Sequence, residues 1–113
     1  MTGGPRPSVQ KDWKDTRMAV VAKWNGEEIA RSDDTILVEG NQYFPAKDVA
    51  RSALVPSGKT SECPWKGTAQ YHSINAGGEI NPDAAWYYPE PKPEAARIKD
   101  RIAFGNGVEV KEE

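Results

Sequence analysis

At 113 residues the chain has material for one core, and a domain of this size buries roughly two thirds of its unfolded surface, enough to fold without metal or disulfide. Its 15 Lys and Arg against 17 Asp and Glu leave a formal net charge of −2, which excludes general attraction to nucleic acid or anionic lipid, since both need a clustered basic surface. Cys63 and His72 are the only residues of their types, so an intrachain disulfide and a four-ligand zinc site are excluded, and neither a metal nor a cofactor is expected.

Residues 1–17 mix glycine, proline and charge around one large apolar residue, Trp13, and read as a flexible tail preceding a single β-rich domain over 18–113. Ala19 to Trp24 is rich in β-branched and aromatic side chains and predicts a strand. Asn25-Gly26 follows it, and because both residues accept φ > 0 the pair is a strong hairpin signal, with Glu27 to Arg31 as the returning strand. Thr35 to Glu39 and Gln42 to Phe44 predict two more strands around a Gly40-Asn41 turn, a spacing typical of all-β domains. Pro45 suits the first turn of a helix over Ala46 to Leu54, which Pro56-Ser57-Gly58 would end.

Thr68 to Ile74 predicts a strand with Ala69, Tyr71 and Ser73 on one face and His72 on the other. Asn75 to Gly78 is a turn, and Ala84 to Tyr88 is a strand stopped by Pro89. Pro93 can open a second helix over Glu94 to Arg101, and Gly105-Asn106-Gly107 turns the chain into a last strand, Val108 to Val110. The expected fold is therefore mainly β: a compact antiparallel sheet folded over or closed into a small barrel, with two short helices. No apolar stretch approaches the roughly 18 residues of a membrane span, and no apolar run follows the first basic residue, so neither a membrane segment nor a signal peptide is expected. With a lone thiol, this favours a cytoplasmic setting.

The most site-like stretch is Cys63-Pro64-Trp65-Lys66-Gly67. Pro64 fixes φ and Gly67 permits conformations other residues resist, so the segment is a shaped loop entering a strand. A thiol three residues from an ammonium group has one reading as a nucleophile of lowered pKa. Its other reading is a buried cysteine beside a lysine whose stem lies on Trp65. Aromatic residues supply a second signal. Trp86 and Tyr87 are consecutive on a strand and point to opposite faces, so a one-sided sheet cannot bury both. Either the sheet closes or an aromatic face is left for a pocket or a partner.

Several of these residues, taken in order, resemble a known family. Tyr43-Phe44-Pro45 with Val49, the string Cys63-Pro64-Trp65-Lys66-Gly67-x-Ala69-x-Tyr71, Ala85-Trp86-x-Tyr88-Pro89, and Ile102-Ala103-Phe104 before Val108-Glu109-Val110 are similar to domain-of-unknown-function family 427, which is widespread in bacteria and found in fungi and plants. The resemblance implies a compact, mostly antiparallel β domain with short helices, and it marks Cys63, Lys66, Gly67, Tyr71, Trp86 and Tyr88 as site candidates without supplying a mechanism. A nucleotidyltransferase-like label is sometimes attached to that family. Such chemistry needs carboxylates on adjacent strands to hold Mg²⁺, and no Gly-Ser helix start followed by an Asp-x-Asp or Asp-x-Glu strand occurs here.

The leading functional expectation is a small molecule bound in a pocket formed by the Cys63–Gly67 loop and the aromatic strands. Trp65 and Trp86 would offer stacking area, Lys66 a charge, Tyr71 and Tyr88 hydroxyls, and Arg51 a further contact to an anion. Two alternatives stand beside it: a thiol-dependent enzyme or redox sensor with Cys63 as the catalytic residue, and a non-enzymatic homodimer or interaction module.

Overall fold

The computed structural model describes residues 19–113, so the tail expected over 1–17 lies outside the described residues. In chain order the strands are β1 (Val20–Trp24), β2 (Glu27–Ser32), β3 (Ile36–Val38), β4 (Asn41–Tyr43), β5 (Leu54–Cys63), β6 (Gly67–Ala76), β7 (Glu79–Tyr87), β8 (Ile102–Phe104) and β9 (Glu109–Glu112). They form three antiparallel sheets, ordered β2-β1-β9, β3-β4 and β5-β6-β7-β8. The fold is mainly β, as the residue pattern predicts, and the strands do not close into a barrel.

The hairpins follow their turn residues. Asn25 and Gly26 sit at φ 53° and 80° between β1 and β2, and Glu39 and Gly40 at 53° and 82° between β3 and β4, the left-handed pairs that match strand twist in two-residue hairpins. Asn25 also reaches across the molecule, donating from Nδ2 to the Ala76 carbonyl at 2.9 Å and so joining the β1–β2 turn to the β6–β7 turn.

The four-stranded sheet is covered on both faces, which resolves the problem posed by consecutive aromatics. On one face Ile74, Ala85, Ile102 and Phe104 pack with Val20, Ala22, Ile29 and Ala30 of the β2-β1-β9 sheet. On the other, Ala69 and Ala103 pack with Val38 and Tyr43 of the β3-β4 hairpin and with Tyr88, Ala95 and Ile98. Trp86 accordingly joins the second core and Tyr87 the first.

Neither expected helix forms as an α-helix. Ala46 to Leu54 gives two three-residue 3₁₀ turns, Ala46–Asp48 and Arg51–Ala53. Between them Val49 bridges Ala30, and the Ala50 N–H donates to the Ile29 carbonyl at 2.8 Å. A nine-residue helix is marginal in water, and here the sheet takes its backbone groups instead. The second expected helix is a 3₁₀ segment, Pro93–Ile98, broken at Ala95 (φ −116°), with Ala95 and Ile98 buried. The stretch expected to end the first helix, Pro56-Ser57-Gly58, lies inside the ten-residue β5, at a register shift between Pro56 and Thr60. β5 is an edge strand, where a missing N–H leaves no ladder bond broken.

Candidate functional site

The Cys63–Gly67 string is the turn of a β-hairpin. Cys63 and Gly67 pair as the last residue of β5 and the first of β6, with Pro64, Trp65 and Lys66 as a three-residue loop. Such loops commonly close through a residue with positive φ, and Gly67 lies at 114°. A Cβ there would come within 3.3 Å of the Glu90 carbonyl oxygen and 3.5 Å of the Lys92 nitrogen, so close backbone approach favours glycine as well. The Pro89–Pro93 run, too rich in proline for helix or central strand, is what presses against it. The Lys92 N–H donates to the Lys66 carbonyl at 2.9 Å, and Lys92 Nζ donates to the Pro64 carbonyl at 2.6 Å.

The turn is tied on its other side to the β3–β4 hairpin. Lys66 is 6% exposed and its ammonium group donates to Glu39 Oε1, while Trp65 Nε1 donates to Glu39 Oε2 at 3.0 Å. The ammonium also lies 5.0 Å from the Trp65 ring centre and 5.8 Å from that of Tyr88, where ring quadrupoles favour a cation. Burial works to lower the Lys66 pKa, but the Glu39 hydrogen bond and nearby tyrosine and cysteine charges outweigh it and hold it above the usual value. Hydrogen bonds from Lys66 and Trp65 in turn hold Glu39 below its own.

Around this pair, burial raises the Tyr43 pKa and pushes that of Tyr88 up to about 12. Cys63, half-buried, is the exception. Burial pushes its thiol up, yet backbone N–H groups of Trp65 and Lys66, with the Lys66 charge, bring it below the ordinary thiol value. Lys66 is thus a protonated, committed cation flanked by phenols that stay protonated. The cluster has the character of an electrostatic lock, with the Cys63 thiol at its edge.

Tyr71 and Trp86 face the same core as this cluster, their rings 6.1 Å apart. The Tyr71 hydroxyl shares a hydrogen bond with Ser61 Oγ at 3.0 Å, and Lys59 Nζ stands 4.7 Å from its ring. Trp86 Nε1 donates to the Tyr43 hydroxyl at 3.2 Å. Cys63, Trp65, Lys66, Gly67, Tyr71, Trp86 and Tyr88 are therefore gathered on one side of the four-stranded sheet. Arg51 is not among them.

Arg51 lines a cleft on the opposite face. This concavity of about 900 Å³ has Val49, Leu54, Pro56 and Ile102 as apolar lining and Lys47, Arg51, His72, Tyr87 and Asp100 as its polar groups. His72 and Tyr87 are stacked in its wall, ring centres 5.2 Å apart and 18° from parallel, and the Tyr87 hydroxyl is fixed by donating to Gln70 Oε1 at 3.1 Å. Burial lowers the His72 pKa, with the nearby Val55 backbone pulling the other way. His72 Nδ1 is the one buried side-chain nitrogen or oxygen without a hydrogen-bond partner among the described residues.

Sequence reasoning missed Glu39, Tyr43 and the pairing of His72 with Tyr87. Strand parity held a signal for the last, since it separates His72 from Tyr71 and Tyr87 from Trp86. None existed for Glu39, an acid in a hairpin turn like several others. Among the described residues no three Asp, Glu, His or Cys side chains gather to hold a metal ion, and no helix is long and apolar enough to cross a membrane. No curated protein matches the chain. The family model for the domain of unknown function DUF427 matches residues 12–113, nearly the full length, and the chain belongs to that family.

Proposed function

We propose that the domain binds a small molecule, and that the ligand occupies the cleft walled by His72 and Tyr87 rather than the side of the sheet carrying Lys66. The observation that carries this reading is the cleft itself. Its volume of about 900 Å³ lies within the range typical of ligand sites, and it combines apolar lining with a few placed polar groups, as such sites do. On the Lys66 side the cation is already neutralised by Glu39 and the aromatic rings fill a core. A metabolite screen followed by amide chemical shifts tests the proposal. Shifts centred on His72, Tyr87 and Ile102, and weakened by Tyr87→Ala, support it; binders that instead perturb Glu39, Trp65 and Lys66 overturn it.

A second reading, a reactive thiol at Cys63, has its own support in the two backbone N–H groups and the lysine that lower its pKa. Alkylation by iodoacetamide in the folded protein should then show a midpoint below that of a free thiol, shifted upward in Lys66→Met. Reaction only on unfolding would end this reading.

A further inference from the structure

We propose that the cleft is built for a planar organic anion, a ring set against the His72–Tyr87 wall with its carboxylate or phosphate group held by Arg51. The inference rests on the binding reading above and names the class of ligand.

The charged groups of the lining are Lys47, Arg51 and Asp100. The two cations are not equivalent. Lys47 Nζ lies 3.3 Å from Asp48 Oδ1, while among the described residues no carboxylate pairs with Arg51. A guanidinium presents a planar fork suited to two oxygens of one anion. The backbone of Arg51 is anchored, since it opens the 3₁₀ turn Arg51–Ala53, whose Ala53 is buried and donates from its N–H to the Ala50 carbonyl at 3.0 Å, while the side chain itself is exposed.

The wall supplies the second half of the recognition. His72 and Tyr87 are stacked near-parallel, the Tyr87 hydroxyl donates to Gln70, and burial disfavours the charged imidazole. Such a stacked aromatic surface favours a flat ring, and Arg51 supplies the attraction for the anion. Asp100 in the same lining repels excess negative charge, which favours a ligand of low total charge. Val49, Leu54 and Ile102 provide the apolar surroundings for the ring.

The test titrates the protein with benzoate, phenyl phosphate and the neutral benzamide, following amide and side-chain resonances of His72 and Tyr87. The inference expects at least one anion to bind about fivefold or more tightly than benzamide, with the preference lost in Arg51→Gln and reduced at high salt. The anion preferred identifies the group. Equal binding of all three probes, or a preference that survives Arg51→Gln, overturns the anion assignment and leaves the binding reading standing. No perturbation of the cleft by any probe at about 10 mM, where even weak fragments register, overturns both.

Discussion

Lys66 shows how a single residue acquires a meaning its neighbours in sequence do not contain. Its ammonium group is nearly excluded from water, yet its partner Glu39 keeps a side chain 51% exposed. The pair therefore sits at a boundary, where the carboxylate remains solvated and the lysine stem fills space among rings. Lys66→Met keeps that volume and removes the charge, and because Glu39 is left solvated instead of buried without a partner, the change should cost little. Lys66→Ala leaves a cavity and should cost about 2 kcal/mol or more. Glu39→Ala strands the cation and should lower the urea midpoint further than Lys66→Met does. An inverted order between those last two variants would show that the charge, and not the packing, dominates.

Glu39 and His72 also contribute to the response to acid. Glu39 has a folded pKa below its ordinary value, so the stability it contributes is present above about pH 4.3 and is lost as pH falls through the folded value. Burial lowers the His72 pKa in the fold from 6.5, so the unfolded chain takes up a proton first as pH falls below that value. Urea midpoints measured against pH should show a shallow decline beginning near 6.5 and a further one below about 4.3. His72→Gln should flatten the first and Glu39→Gln should reduce the second, in which the exposed pairs of Glu28 with Arg31 and Glu113 with Lys23 also share.

At the scale of elements, the β5–β6 turn is the junction of the second core. It is clamped by the β3–β4 hairpin through Glu39 and by the 90–92 backbone through Lys92. Gly67→Ala tests the clamp directly. At φ 114° an alanine is strained, and its Cβ would meet backbone atoms that cannot swing aside as a side chain would. The substitution should cost about 1–3 kcal/mol and should also broaden the Trp65 indole resonance, because the loop that presents Trp65 to Glu39 is displaced. Alanine at the open turn glycine Gly107, where only the positive φ is at issue, should cost less. Equal costs would show that close approach to residues 90–92 contributes nothing.

For the whole molecule, the two cores share one sheet, and each strand of β6, β7 and β8 sends alternate residues into both. Neither core can form without the strands that shape the other, so unfolding should be a single cooperative transition. Trp24 packs against the first core and Trp65 and Trp86 against the second. Single-tryptophan variants reporting from Trp24 or Trp86 should therefore give superimposable urea curves, coincident with circular dichroism. Separate midpoints would mean that the faces melt independently.

What the amino-acid order determined alone was local. Strand content, the Asn25-Gly26 hairpin and the face separation of Tyr71 from His72 follow from φ preferences and the two-residue period of a strand. The shaped character of Cys63 to Gly67 follows from proline and glycine in the same way. What only the tertiary structure decided was pairing at a distance. The helices expected at 46–54 and 94–101 gave way because the sheet offered their backbones better partners, as at Ala50 and Ile29. Lys66 became a lock because Glu39, 27 residues away, meets it. Arg51, expected beside Lys66, lies across the sheet with His72 and Tyr87, since which face a turn residue joins is set by how the sheets stack and not by the residues around it.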